Sequence, residues 1–210
     1  MPGLLDISPV IPVLVLHDHE AAVPVVEALR DGGVRLAEVT LRTPTAIEAI
    51  RRIAAEVEDV LVGAGTVVAP HQAAAAAKAG AEFLVTPGSS EQVYQACRDT
   101  GLPILPGAAT VSEAMSLAER GHSELKFFPA EAAGGPAYLR AIAGPLPDLR
   151  FCPTGGITAE SASGYLRLPN VACVGGSWLT PAEAVAAGDF ARITALTRDF
   201  LTACRAGATA

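Results

Sequence analysis

Lysine is nearly missing from this chain. Of 210 residues only Lys78 and Lys126 are lysines, and Lys plus Arg total 15 against 22 Asp plus Glu, a formal net charge of -7. A chain this acidic offers no basic stripe to neutralise phosphates along DNA or RNA, so no nucleic-acid partner is expected. Charge of either sign is sparse at 18% while hydrophobic residues make up 50%, which excludes a disordered tail or linker. The four cysteines, Cys97, Cys152, Cys173 and Cys204, stand far apart. With no C-x-x-C pair and no histidine at zinc-ligand spacing, reduced thiols in a cytoplasmic protein are expected in place of a disulfide framework. Long apolar runs are lacking too. Positions 60–77 carry no formal charge, but Gly63, Gly65, Pro70, His71 and Gln72 interrupt them, so no membrane span is expected. The N-terminal apolar run is broken by Pro9 and Pro12 and has no basic residue before Arg30, so it does not read as a signal peptide.

What is present is alternation. Short β-branched or apolar runs alternate with Ala- and Leu-rich segments of helical period from end to end, the pattern of βαβ units. Strands are expected near 11–16, 36–41, 60–64, 82–86, 103–107, 124–128, 150–154 and 171–175. Helices are expected near 20–31, 44–57, 70–79, 89–100, 111–120, 135–143, 158–167 and 189–204, with caps such as Ser112 before Glu113. Eight such runs suit an α/β chain folded as a single-domain (β/α)8 barrel over residues 1–210. The rival, an open doubly wound sheet, would carry G-x-G-x-x-G after its first strand, where this chain has Leu16-His17-Asp18-His19.

Side chains alternate faces along a strand, so Glu38, Thr40 and Arg42 share one face of the 36–42 run while Ala37, Val39 and Leu41 share the other. If the apolar face meets the helices, the polar face points into the barrel, where ions must pair or line a cavity at the C-terminal mouth. Lys126 interrupts the apolar run Leu125-Lys126-Phe127-Phe128. Three readings remain open for it: a structural ion pair with a carboxylate, a snorkelling edge residue, or a nucleophilic amine favoured by apolar neighbours and a nearby cation such as Arg42. Glu38 would then serve as proton shuttle. Lys78, near the end of an Ala-rich helix, reads as a solvated cation.

Paired glycines end the last two runs, in Pro153-Thr154-Gly155-Gly156-Ile157 and Gly175-Gly176-Ser177-Trp178. Loops after the seventh and eighth strands are where such barrels bind phosphate, and glycine lets backbone N–H groups approach an anion. The plainer alternative is a pair of tight turns. Thr66, after Gly63-Ala64-Gly65, is either a hydroxyl at the third strand's mouth or a helix cap.

These segments, with Lys126-Phe127-Phe128-Pro129-Ala130-Glu131 and Glu38-Val39-Thr40-Leu41-Arg42, resemble the 2-keto-3-deoxy-6-phosphogluconate (KDPG) aldolase family nearly end to end. The resemblance implies a cytoplasmic homotrimer and a class I aldolase that needs no cofactor or metal. Its substrate would be a phosphorylated 2-keto-3-deoxy acid, cleaved to pyruvate and glyceraldehyde 3-phosphate; many members also cleave 4-hydroxy-2-oxoglutarate. By that resemblance Lys126 is the Schiff-base lysine, Glu38 the acid/base, and Arg42 and Thr66 hold the pyruvate carboxylate. Thr154, Phe128 and Pro87 contact or shape the substrate pocket, and Gly155, Gly156, Gly176 and Ser177 bind phosphate. His17 and His19 have no counterpart in the pattern. They suggest a metal-dependent barrel hydrolase as one alternative, with Asp18 as a cap of the next helix as the structural reading. Others are a phosphosugar isomerase or epimerase with Glu38 as base, and a non-enzymatic phosphosugar-binding protein.

Overall fold

The structure is a computed structural model that describes residues 3–208; residues 1–2 and 209–210, the ends of the expected 1–210 domain, lie outside the described residues. Among the described residues a 3-10 turn at Leu4–Asp6 precedes nine strands and nine α-helices. Strands β1 (Val10–Leu14), β2 (Leu36–Thr40), β3 (Leu61–Gly65), β4 (Phe83–Val85) and β5 (Ile104–Leu105) join β9 (Val174–Gly176) in one parallel sheet, ordered β5-β4-β3-β2-β1-β9. A second parallel sheet contains β6 (Gly107–Ala108), β7 (Glu124–Phe127) and β8 (Arg150–Pro153).

The expected fifth strand is therefore split. Pro106 has no N–H to give to a ladder, yet its carbonyl accepts from Lys126 N at 2.9 Å, so β5 pairs to one side and β6 to the other. Between β8 and β9, pairing falls to two isolated bridges, Phe151 to Val171 and Thr154 to Gly175. The architecture is a curled parallel sheet with helices around it, in two ladders where one continuous ring of eight strands was expected.

The helices are α1 (Ala22–Gly32), α2 (Ala46–Glu56), α3 (Pro70–Lys78), α4 (Glu91–Asp99), α5 (Val111–Glu119), α6 (Gly135–Ile142), α7 (Ala159–Leu166), α8 (Ala182–Ala187) and α9 (Phe190–Ala208). The short α8 and the opening 3-10 turn were not expected. The longer helices each bury one stripe. In α2, Ala46, Ala49, Ile50 and Ile53 are buried at i, i+3, i+4 and i+7, while Arg51 and Arg52 face outward to Glu48 and Glu56. Ile50, Ile53, Leu29 and Leu36 are all fully buried, each contributing about 1.5–3 kcal/mol.

Two expected caps differ. The N-cap of α5 is Thr110, whose hydroxyl accepts from Glu113 N while Glu113 returns to Thr110 N at 2.9 Å; Ser112 lies inside the helix. Asp18 accepts from Glu20 N at 2.9 Å, a local turn ahead of α1, whose N-cap is Ala21 with no side-chain bond. Among the described residues no helix is long and apolar enough to cross a membrane.

Candidate active site

The C-terminal ends of the strands carry the polar side chains. All five residues of β2 are buried, Glu38 and Thr40 among them at 2% exposure each. The Thr40 hydroxyl donates to Leu14 O at 2.8 Å, tying β2 to β1. Across the interior, Lys126 on β7 is 4% exposed, and its Nζ lies 3.1 Å from Glu38 Oε1 and 3.4 Å from Oε2. The Phe128 ring centroid is 5.7 Å from Nζ, close enough for the ring face to attract the ammonium form. A charge buried this deeply is tolerable only with its partner in contact. Lys78, by contrast, is exposed at the end of α3.

Gly65 sits where it does because the Glu38 carboxyl fills the space a Cβ would occupy. The next residue, Thr66, adopts φ +57°, an unusual conformation for a β-branched side chain and one that costs on the order of 1–3 kcal/mol. It is not a helix cap: α3 begins at Pro70, and Gln72 Oε1 accepts from Val68 N and Ala69 N. Arg42 lies in the turn after β2 and is exposed. Thr43 and Thr45 hydroxyls anchor that turn to Leu16 O at 2.6 and 2.8 Å. Among the described residues Arg42 has no hydrogen-bond or ion-pair partner, so its guanidinium is available to an incoming anion.

Thr154, Gly155 and Gly156 follow β8, and Gly175, Gly176 and Ser177 close and follow β9. Gly155 and Gly156 have φ of +103° and +80°, and their N–H groups meet no protein acceptor among the described residues. Unpaired N–H groups on such a turn favour an anion. At Gly175 a Cβ would overlap the Thr154 hydroxyl.

A cavity of about 450 Å³ opens among these strand ends. The expected Lys126, Glu38, Arg42, Thr66, Thr154, Phe128, Pro87, Gly155, Gly156, Gly176 and Ser177 are all on its wall. Thr40, Val13, Val15, Ile157 and Gly175 line it as well but were not singled out. Thr40 shares its strand face with Glu38 and so was readable; Val13 and Val15 carry no chemical signal.

His17 lies outside this wall, in an adjoining cavity of about 600 Å³ that shares Val13, Val15 and Ser177 with it. His19 Nε2 is 3.3 Å from Glu20 Oε1. Among the described residues no group of three or more His, Cys, Asp or Glu could hold a metal ion. A larger hollow of about 970 Å³ opens at the N-terminal ends of the strands, beside Leu61, Ile104, Glu124 and Arg150, and Lys126 is not on its wall.

The chain is similar to known proteins over almost all of its length. The family model described as KDPG and KHG aldolase matches residues 3–196. The 2-dehydro-3-deoxy-phosphogluconate aldolase of Dickeya dadantii (strain 3937) is 52% identical over 207 residues, 99% of this chain and 95% of that one. The KHG/KDPG aldolase of Escherichia coli (strain K12) is 52% identical over 197 residues, 94% of this chain and 92% of that one. Among solved structures, KDPG aldolase from Legionella pneumophila, with pyruvate captured as a covalent carbinolamine intermediate, superposes with a TM-score of 0.91 at 46% identity, covering 94% of this chain and 96% of that one. Matched from residue 3 to 196 and about half identical to relatives along nearly its whole length, the chain belongs to the KDPG and KHG aldolase family.

Proposed function

We propose that the chain is a class I, metal-independent aldolase. It cleaves 2-dehydro-3-deoxy-6-phosphogluconate to pyruvate and glyceraldehyde 3-phosphate, and 4-hydroxy-2-oxoglutarate to pyruvate and glyoxylate. The observation that carries this reading is the buried contact of Lys126 Nζ with Glu38 at 3.1 Å on the wall of the cavity. Moving the shared proton from Nζ to the carboxylate leaves a free amine, which attacks the C2 carbonyl. Glu38 returns that proton to the carbinolamine oxygen and then carries a second one from the attacking nitrogen to the same oxygen, water leaves, and an iminium joins C2 to Lys126.

The iminium is the electron sink. Glu38 removes the proton of the C4 hydroxyl, the C3–C4 bond breaks, and its electron pair is held as an enamine while the aldehyde departs. A proton returned to C3 regenerates the iminium, and water releases pyruvate and the free lysine. Arg42 and the Thr66 hydroxyl hold the pyruvate carboxylate, supported by the unpartnered guanidinium and the fixed Thr66 backbone. Phe128 and Pro87 shape the pocket around the imine, and Thr154 contacts substrate near the reacting carbons. Gly155, Gly156, Gly176 and Ser177 take the phosphate on backbone N–H groups and one hydroxyl.

The proposal extends to the whole chain: residues 1–210 form one domain, its two ladders closing into a (β/α)8 barrel through the bridges between β8 and β9. The enzyme works in the cytoplasm as a homotrimer.

Incubation with pyruvate followed by borohydride reduction, read by peptide mass, tests the central claim. The adduct is expected on Lys126 and not on Lys78, with turnover insensitive to EDTA. No adduct on Lys126, or activity abolished by the chelator, overturns it. An isomerase or epimerase that used Glu38 as base would likewise trap nothing.

A further inference from the structure

The Gly155–Gly156 loop is held from one side by the segment that follows Lys126. Ala130 N–H donates to Thr154 O at 2.8 Å and Glu131 N–H to Gly155 O at 3.1 Å. The stem of Glu131 lies against Gly156, where a Cβ would stand 2.7 Å from Glu131 Cγ and 2.8 Å from its Cβ. Beyond the loop, Glu131 Oε1 accepts from the Tyr165 hydroxyl at 2.7 Å. Tyr165 is fully buried on α7, the helix that the loop leads into. Burial, then the Glu131 carboxylate, raise the phenol's pKa, so the hydroxyl keeps its proton and remains the donor.

One residue therefore grips the loop three ways: by its backbone, by its stem and by its carboxylate through α7. By Coulomb's law alone, a negative charge beside a loop that takes phosphate weakens that binding. Its benefit must be geometric. Free glycine φ angles are the most costly to order, and a brace that orders them beforehand spares that cost on binding.

We propose that Glu131, tied to Tyr165, is the positioning residue that sets the Gly155–Gly156 loop for the phosphate end of the substrate, and so determines selectivity for phosphorylated over unphosphorylated keto acids. The proposal rests on the aldolase reading above. Glu131 touches neither the imine nor the breaking bond; it acts through the loop.

The test compares kcat and KM for 2-dehydro-3-deoxy-6-phosphogluconate and 4-hydroxy-2-oxoglutarate in Glu131→Ala, Glu131→Gln, Tyr165→Phe and the Glu131→Ala/Tyr165→Phe double variant. Loss of one charge-assisted hydrogen bond corresponds to roughly a tenfold change or more. Glu131→Ala should raise KM for the phosphorylated acid about tenfold and lower the selectivity ratio by the same factor. Glu131→Gln, whose amide oxygen still accepts from Tyr165, should restore most of it. Tyr165→Phe should shift the ratio in the same direction, and the double variant should be no worse than Glu131→Ala. Equal losses on both substrates, an unchanged ratio, or a Glu131→Gln variant as impaired on the phosphorylated acid as Glu131→Ala overturns the proposal. Pyruvate trapping on Lys126 of the unaltered enzyme, measured alongside, separates the two failures. Without trapping the aldolase reading falls and this proposal with it; with normal trapping and an unchanged ratio, only the role of Glu131 falls.

Discussion

A methyl group is enough to disturb this site at Gly65. Its missing Cβ makes room for the Glu38 carboxyl, so Gly65→Ala must push that carboxyl off Lys126 or shift β3 away from β2. Overpacking of this kind costs about 1–3 kcal/mol of stability. The expected outcome is a soluble, folded protein, checked by thermal melting, whose aldol cleavage falls at least about 100-fold, in the range lost when a general acid/base is displaced. Arg42 makes the opposite case, an exposed cation with nothing to hold. Arg42→Ala should leave the melting temperature within a degree or two and weaken pyruvate capture about tenfold or more, since a charge-assisted bond contributes roughly 1.5–3 kcal/mol. Unchanged pyruvate affinity in a trapping titration contradicts its role. Lys126→Met keeps an unbranched side chain one atom shorter, removes the amine and should abolish trapping. The choice of Lys126 was readable because only two lysines exist and the other sits on an Ala-rich helix. Glu38 was readable as its proton shuttle from the inward face of its strand and from the resemblance, but the contact was not: the two lie 88 residues apart, and no local pattern measures that distance.

The helices are joined by contacts that the sequence pattern does not announce. Tyr94 on α4 and His122, just after α5, share a hydrogen bond at 2.8 Å between the phenol oxygen and Nε2, with rings edge to face. Arg120 lies over the Tyr94 ring at 4.7 Å. Burial first, then the charges of Arg98 and Arg120, hold the His122 pKa below its ordinary 6.5. As pH falls through about 6.5 the unfolded chain takes up a proton that the folded chain refuses, so stability drops between that value and the lowered folded one. Melting curves should show this loss below pH ~6.5 and its flattening in His122→Gln. An identical pH slope in both proteins would refute the link. The cap of α5 shows why element ends were hard to read. Ser112 and Thr110 both precede helical residues, and only the reciprocal bonds with Glu113 choose Thr110. Thr110→Ala should cost about 1 kcal/mol in a denaturant titration, and Ser112→Ala much less.

At the scale of the whole molecule, the proposed trimer is testable by sedimentation, which should give three times the 21.4 kDa of one chain. A monomeric mass at micromolar concentration counts against it. The order of strands and helices was legible, because a period of two or of 3.6 is written into the side chains themselves. The split at Pro106 and the thin pairing between β8 and β9 were not, because ladder continuity depends on which backbone groups meet across chains of residues distant in sequence. The sequence by itself determined the βα alternation, the single lysine suited to covalent chemistry and the glycine pairs after the last strands, all local properties of residue type and spacing. Only the tertiary structure decided that Lys126 meets Glu38, that Gly65 yields its space to that carboxyl, and that eleven residues from six strand ends or the loops beyond them share one cavity. Those are consequences of how the sheet curls, and the curl brings together side chains that the chain's own periodicity keeps apart.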